Sequence, residues 1–290
     1  SIVRERISIN EEWSFFKYDT TADNLIYDVR PQVRGYRDDR PADSRPTEAV
    51  DVEVSQKVLK PWILPSGNDF ISDPGKRYVR PEENPGSDFP FVQNDFDDSS
   101  WEKVDLPHDW AVKGPFLDIR NSEVGGSMGH LPSPAVAWYR KKLDIPGSDA
   151  GRSIFLDVDG AMSYAMVWLN GKLVGGWPFG YSSWRLDLTP YIVPGAENML
   201  AIRLDNPPSS SRWYPGGGIY RNVWLTKTDP VHVGQWGTFV TTPEVTQDAA
   251  LVHIEHSIRN DFDRDTTFQL LVDIISADGQ KTGSARAADV

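Results

Sequence analysis

The chain has 290 residues, of which 39% are hydrophobic and 25% charged, and its formal net charge is -12 at pH 7. This length is enough for one large or two ordinary domains. The negative charge disfavours the nucleic-acid backbone and anionic membrane surfaces as partners, because binding to either needs clustered Lys and Arg, and it fits a neutral ligand better. The absence of cysteine excludes disulfides and Cys-ligated zinc.

The first half of the chain contains a region that does not alternate like a strand. Residues 31–60 are polar and charged, and residues 61–90 hold six prolines. Such composition is typical of long loops. We therefore predict a polar, Pro-rich insertion at about 31–90 on a β core.

Downstream of this insertion, apolar residues alternate with polar ones at a period of two. The pattern is clearest in SIFLDVDG (153–160), NMLAIRLDN (198–206) and FQLLVDII (268–275), and it predicts half-buried strands. Asn170-Gly171 between two apolar runs predicts a tight hairpin. No long helical pattern is present, so the fold class is all-β, in the form of a β-sandwich.

The strands that follow residue 228 lack the Trp-rich composition of those before it. This change predicts a domain boundary, with one domain at 1–228 and a second at 229–290. The second domain has only about 60 residues, fewer than the ~100 of an immunoglobulin-like sandwich. Its last residues, ARAADV, do not resemble a domain end. We therefore expect the second domain to be incomplete.

Membrane, signal and metal features give few positive indications. No apolar run approaches the ~18 residues of a membrane span, and the start, SIVRER, lacks the apolar stretch of a signal peptide. We expect a periplasmic or extracellular mature form, with a cytoplasmic location as the alternative.

His253 and His256 are three apart on one predicted strand and so point to opposite faces. No cofactor is therefore predicted from histidines, and a Na, Mg or Ca ion held by oxygen ligands stays open.

Two short segments carry more functional side chains than a turn needs. In LPHDW (106–110), His108, Asp109 and Trp110 supply a donor, an acceptor and a flat apolar face; the alternative is a structural turn in which Asp109 accepts backbone N–H groups. In DNPPSSSRWYPGGGIY (205–220), Gly and Pro suit a turn, but Arg212, Trp213 and Tyr214 exceed its needs. The eleven Trp of the chain suit either a sandwich core or contacts with pyranose faces.

With these two segments, the sequence resembles the N-terminal part of a family 2 glycoside hydrolase of the β-galactosidase type. The motifs that carry the resemblance occur in the family's order and cover most of residues 90–228. They are FDDSSWEKVDLPHDW (96–110), AWYRKKLDIP (137–146), VWLNGKLVGGWPFGYSSWRLDLTPYI (167–192) and LAIRLDNPPSSSRWYPGGGIYRNVWL (200–225), and RERISINEEWSFF (4–16) resembles the usual start of such an enzyme.

The resemblance implies a jelly-roll, galactose-binding-like β-sandwich followed by an immunoglobulin-like domain. In the family a (β/α)8 barrel comes next and carries two catalytic glutamates. A barrel needs ~250 residues, so the resemblance implies that this chain holds no catalytic residue and is inactive alone. The intact protein would then combine this chain with its own barrel.

The resemblance also suggests roles for single residues. The acidic residue of the Leu-Asp-Asn motif, Asp205, would contact the non-reducing sugar together with its neighbour Asn206. Asp109 and His108 would be further sugar contacts. The other three residues, Arg212, Trp213 and Tyr214, would support the loop and its interface with the next domain. An alternative for Trp213 and Tyr214 is that they serve only that interface.

The resulting hypothesis is the N-terminal portion of a retaining exo-β-galactosidase acting on a β-galactoside oligosaccharide or polysaccharide. A β-glucuronidase or β-mannosidase of the same family is one alternative, and a stand-alone carbohydrate-binding module is another. A purely structural interaction domain is a third. The sequence leaves open whether the protein forms a homo-oligomer.

Overall fold

The computed structural model describes most of the chain, and the statements below concern only those residues. The described residues are 4–28, 55–64, 68, 71, 73–118, 129–208 and 213–287. Much of the predicted 31–90 insertion lies outside them, as does Arg212. Within these residues, no helix is long and apolar enough to cross a membrane.

The described elements are almost entirely strands, which confirms the all-β prediction. In chain order they are β1 (Glu5–Ser8), β2 (Trp13–Lys17), β3 (Leu25–Ile26), β4 (Lys57–Val58), β5 (Glu102–Val104), β6 (Ala135–Ile145), β7 (Ser153–Val158), β8 (Ala165–Leu169), β9 (Lys172–Trp177), β10 (Trp184–Asp187), β11 (Ala196–Asn206), β12 (Val223–Thr228), β13 (Val231–Val245), β14 (Ala250–Asn260), β15 (Leu270–Ile275) and β16 (Lys281–Ala287). Short 3-10 turns cover Lys60–Trp62, Pro74–Lys76, Pro90–Val92 and Gly147–Asp149.

The chain divides into two compact units, with the division between Lys227 and Thr228. In the larger unit, one sheet has the order β1-β12-β7-β10 and the other has the order β5-β2-β6-β11-β8-β9. The hydrogen-bonded neighbours in both sheets are antiparallel. The central pair is long: β6 and β11 stay in register from Ala135–Asn206 to Ile145–Ala196.

Apolar residues from both sheets form the main core, which makes the pair a sandwich. Leu156 and Val158 of β7 belong to the same buried cluster as Leu200, Ile202 and Leu204 of β11. This is the face that the alternation in 198–206 predicts. Trp13 belongs to the same cluster and is fully buried, and burying such a side chain contributes about 4–6 kcal/mol before entropy is counted.

The outer face of the six-stranded sheet carries a second core. Trp138 and Trp168 extend from that face to a cluster with Leu25, Leu59 and Val92, which come from the connecting segments. The prediction of half-buried strands is therefore wrong for β7 and β11, whose residues are nearly all buried. On β11, segments distant in the chain cover the face that strand periodicity assigns to solvent. On β7, the polar residue Asp157 is bonded to Arg185 and Thr226 of the two neighbouring strands.

The predicted hairpin is present. Strands β8 and β9 pair across Asn170 and Gly171, whose φ values are 52° and 75°. Two consecutive residues with positive φ are what a type I′ turn requires. The Asn170 side chain also accepts from the Met199 N–H at 2.9 Å, so the turn is bonded to β11.

The smaller unit contains two separate antiparallel pairs, β13 with β14 and β15 with β16. Its strands are mainly exposed, including Phe239 and Leu271. The predicted strand at 268–275 begins later than expected, at Leu270. The assignment of this unit to an immunoglobulin-like domain stays a prediction.

Candidate functional site

The two segments that the sequence singles out lie side by side in the larger unit. The His108 N–H donates to the Ile219 carbonyl at 2.8 Å, and the Trp110 N–H donates to the Gly217 carbonyl at 2.9 Å. We call the LPHDW segment (106–110) together with residues 213–220 the rim. Nothing in the sequence links its two halves directly, so the structure adds this pairing.

The Asp109 carboxylate joins the two halves of the rim. One oxygen accepts from the backbone N–H groups of Ala111 (2.9 Å) and Gly217 (3.1 Å). The other accepts from the Tyr214 hydroxyl at 2.7 Å. Burial and this carboxylate raise the pKa of Tyr214, so the phenol keeps its proton and remains a donor. These contacts match the alternative of a structural turn, and sugar binding by Asp109 stays a prediction.

His108 is partly buried and packs in an aromatic cluster. Its Nδ1 atom is 2.8 Å from the Tyr139 hydroxyl, and its ring makes an edge contact with Phe15 at a centroid distance of 4.6 Å. Burial lowers the pKa of His108 below its ordinary value. The imidazole is therefore neutral at pH 7 and is placed to fix the Tyr139 hydroxyl.

Asn206 connects the end of β11 to the rim. Its amide donates to the carbonyls of Ser133 and Gly216, both at 2.9 Å, and the side chain is buried. The Trp110 indole N–H donates to the same Ser133 carbonyl at 3.1 Å. Asn206 thus fixes the start of the Gly-rich turn against LPHDW.

Asp205 lies on the opposite face of β11 from Asn206, as successive strand residues must. Its N–H donates to the Ser163 carbonyl at 2.9 Å, and the Ser163 hydroxyl donates back to the Asp205 carbonyl at 3.0 Å. Its carboxylate is 3.7 Å from the Arg203 guanidinium and only 9% exposed. The structure therefore does not bring the Asp205 and Asn206 side chains together, and direct sugar binding by either stays a prediction.

The sequence gives no signal for the partner of Arg203. Asp23, in the loop before β3, forms an ion pair with Arg203 at 2.9 Å, and both side chains are at most 3% exposed. The Asp23 carboxylate also accepts from the Trp138 indole N–H at 3.0 Å. A charged pair thus lies directly behind Asp205, within the second core.

The loop-support residues have different environments. Trp213 is 64% exposed, whereas Tyr214 is partly buried and bonded to Asp109. Arg212 lies outside the described residues, so its expected ion pair stays a prediction.

In the described part of the chain, no group of three or more His, Asp or Glu is arranged to hold a metal ion.

The Tyr214–Asp109 bond gives a direct test of how the rim is stabilised. Tyr214→Phe should lower the free energy of unfolding by about 1–2 kcal/mol, because it removes a hydrogen bond to a carboxylate. Urea unfolding followed by tryptophan fluorescence would measure the loss. Tyr220→Phe is the matched control, since that hydroxyl donates to the uncharged Gly180 carbonyl and should cost less. Equal effects would contradict the assigned role of Asp109.

Comparison with known proteins finds relatives of the larger unit. Residues 130–213 match the family model described as the glycosyl hydrolase 2 galactose-binding domain-like family. The chain is 40% identical over 198 residues to a β-galactosidase of Bacteroides ovatus, which covers 68% of this chain and 23% of the relative. It is 32% identical over 191 residues to a putative β-glucuronidase of Formosa agariphila, covering 66% of this chain and 18% of the relative.

Solved structures agree with the fold. A glycosyl hydrolase family 2 member from Bacteroides cellulosilyticus superposes with a TM-score of 0.61 at 31% identity, covering 69% of this chain and 26% of that one. A β-glycosidase from Bacteroides vulgatus superposes with a TM-score of 0.65 at 20% identity, covering 97% of this chain and 27% of that one.

The larger unit is thus a galactose-binding-like β-sandwich of the kind found in glycoside hydrolases. These matches confirm the resemblance of the sequence to the N-terminal part of glycoside hydrolase family 2. The chain spans only about a fifth to a quarter of the length of these relatives.

Proposed function

We propose that this chain is the N-terminal portion of a retaining exo-β-glycosidase that hydrolyses terminal β-galactosyl residues. The observation that carries the proposal is the 40% identity, over 198 residues, to the β-galactosidase of Bacteroides ovatus. In this proposal the sandwich supplies sugar-binding loops, and a (β/α)8 barrel outside this chain supplies the two catalytic carboxylates. The chain alone is then inactive.

The rim supports a role in sugar binding. It presents the exposed Trp213 indole next to Tyr214, whose hydroxyl is fixed by Asp109. An indole face suits the C–H face of a pyranose, because both are flat and apolar. Since Asp109 and Asn206 both bond to the Gly216–Gly217 turn, the aromatic residues start from a pre-organised base.

A β-glucuronidase is the second candidate, since the Formosa agariphila relative is named as a putative one. That activity needs a cation for the substrate carboxylate. Arg203, the cation beside Asp205, is 1% exposed and already paired with Asp23. The arrangement around Asp205 therefore favours a neutral sugar over a uronic acid. A β-mannosidase and a stand-alone carbohydrate-binding module remain alternatives.

Hydrolysis of four nitrophenyl β-glycosides (galactoside, glucuronide, mannoside and glucoside) tests the proposal. We expect the product of the intact gene to cleave the galactoside with the highest kcat/KM, and the 290-residue chain to be inert. A preference for another glycoside would overturn the substrate assignment. Turnover by the 290-residue chain would show that a catalytic carboxylate pair lies within it, and an inert intact product would favour the binding module.

A further inference from the structure

An exposed aromatic pair lies on the connection between β9 and β10, residues 178–183, with the sequence PFGYSS. Phe179 is 58% exposed and Tyr181 is 48% exposed, and their ring centroids are 5.6 Å apart at 63°. Large apolar side chains on a surface loop cost solvation free energy without stabilising the core. We call Phe179 and Tyr181 the aromatic pair.

The backbone that carries the aromatic pair is fixed by hydrogen bonds to neighbouring segments. These bonds run from the Tyr164 N–H to the Pro178 carbonyl (3.1 Å), from the Tyr220 hydroxyl to the Gly180 carbonyl (2.9 Å) and from the Ser183 hydroxyl to the Asp159 carbonyl (3.1 Å). Little conformational entropy therefore remains to be lost when a ligand binds. A pre-organised pair of exposed rings is a property of binding surfaces.

The aromatic pair is continuous with the rim. Between its two rings, Gly180 packs so closely on Met162 that a Cβ at this position would overlap the Met162 sulfur. Met162 in turn exchanges backbone hydrogen bonds with Gly218 of the rim, at 2.9 and 3.3 Å. The next residue, Ser163, bonds to Asp205. The aromatic pair and the rim are therefore neighbouring segments of the larger unit.

The chemistry of the segment indicates what kind of ligand this is. Residues 178–183 contain no charged side chain, and the whole chain carries a net charge of -12, so a neutral ligand is favoured. Two rings are too small a patch for a stable protein interface, which buries ~800 Å² on each partner. Two adjacent rings do match the size and flat apolar faces of one or two pyranoses.

We propose that Phe179 and Tyr181 bind uncharged pyranose residues that follow the terminal sugar in the glycan. The inference deepens the proposed function and rests on it: the rim would take the terminal sugar, and the aromatic pair would take the chain behind it. This surface would make affinity depend on glycan length, whereas a rim acting alone would recognise one sugar.

Titration calorimetry on the 290-residue chain tests this directly. The probes are β-1,4-linked galactotetraose, cellotetraose and mannotetraose, with methyl β-galactoside as a single-ring probe. We expect at least one tetraose to bind, and Phe179→Ala and Tyr181→Ala each to weaken it about tenfold. Phe179→Leu should behave like Phe179→Ala, because it keeps apolar volume but loses the flat face. Phe239→Ala, which removes a 60% exposed ring from the smaller unit, is the matched control and should leave binding unchanged.

The outcomes separate this inference from the proposed function. The identity of the tetraose that binds shows which sugar the protein recognises. The effect of the two substitutions on its affinity tests the aromatic pair, whichever sugar that is. Unchanged tetraose binding in both variants would overturn the inference, as would a native chain that binds none of the probes. The same substitutions can be made in the intact gene product. An equal loss of hydrolysis of the nitrophenyl β-galactoside and of the tetraose would also overturn the inference, because it would show that the aromatic pair contacts the rest of the protein.

Discussion

Gly218→Ala is expected to destabilise the larger unit by about 3 kcal/mol or more and to disrupt the rim. Gly218 has φ +118°, a conformation that residues with a side chain rarely adopt. A Cβ there would lie 2.5 Å from the Tyr139 hydroxyl and 2.6 Å from the His108 carbonyl oxygen. The second contact is with the backbone of His108, whose N–H is hydrogen-bonded to the Ile219 carbonyl. The clash therefore cannot be relieved by turning a side chain.

Gly151→Ala is the matched control for this substitution. Gly151 also has a positive φ, +82°, but no atom lies within 4 Å of the position a Cβ would take. It should therefore cost only the backbone strain, about 1–2 kcal/mol. Urea unfolding followed by tryptophan fluorescence suits both variants, because ten of the eleven Trp lie in the larger unit. Equal losses in the two variants would show that crowding at Gly218 contributes nothing.

Asp23→Asn should be the second strongly destabilising change, with a loss of about 3–5 kcal/mol at pH 7. The substitution keeps the size of the side chain but removes the nearest counter-ion of the buried Arg203 guanidinium, and leaves only the Asp205 carboxylate at 3.7 Å to balance its charge. Removal of one partner from a buried ion pair lowers the free energy of unfolding by more than the intact pair contributes to it, because the remaining charge is less well compensated. Urea unfolding at pH 7 would measure the effect.

The exposed ion pair between Lys142 and Glu197 provides the control. Its N–O distance is 3.1 Å, close to that of the buried pair, but the side chains are 62% and 59% exposed. Glu197→Gln should therefore leave stability nearly unchanged, since water screens such a pair. A loss for Asp23→Asn no greater than that for Glu197→Gln would contradict the view that burial decides the strength of the Asp23 effect.

The strands of the larger unit could be predicted from the sequence because alternation is a local property. Leu200, Ile202 and Leu204 do face the core, and Asn170-Gly171 does form the hairpin. Burial on both faces of β11 could not be predicted in the same way. It depends on side chains such as Leu25 and Val92, which come from segments far away in the chain and have no pattern that assigns them to this sheet.

The candidate site shows the same division between local and distant information. LPHDW and the Gly-rich turn were recognisable by composition, but their pairing was not, since Asp109 and Gly217 are 108 positions apart. Strand geometry could have separated Asp205 from Asn206, because adjacent strand residues point to opposite faces. Asp23 had no local signal at all, and only the folded chain places it against Arg203.

The distance in sequence between the halves of the rim has a consequence for how binding competence arises. The two segments can meet only through a long-range contact, because β6 to β11 all lie between them in the chain. A partly folded sandwich, or a peptide copied from either segment, therefore has no rim. Under the proposed function, sugar affinity needs both halves of the rim and should therefore appear only when these long-range contacts have formed. A labelled glycan would then report on their formation.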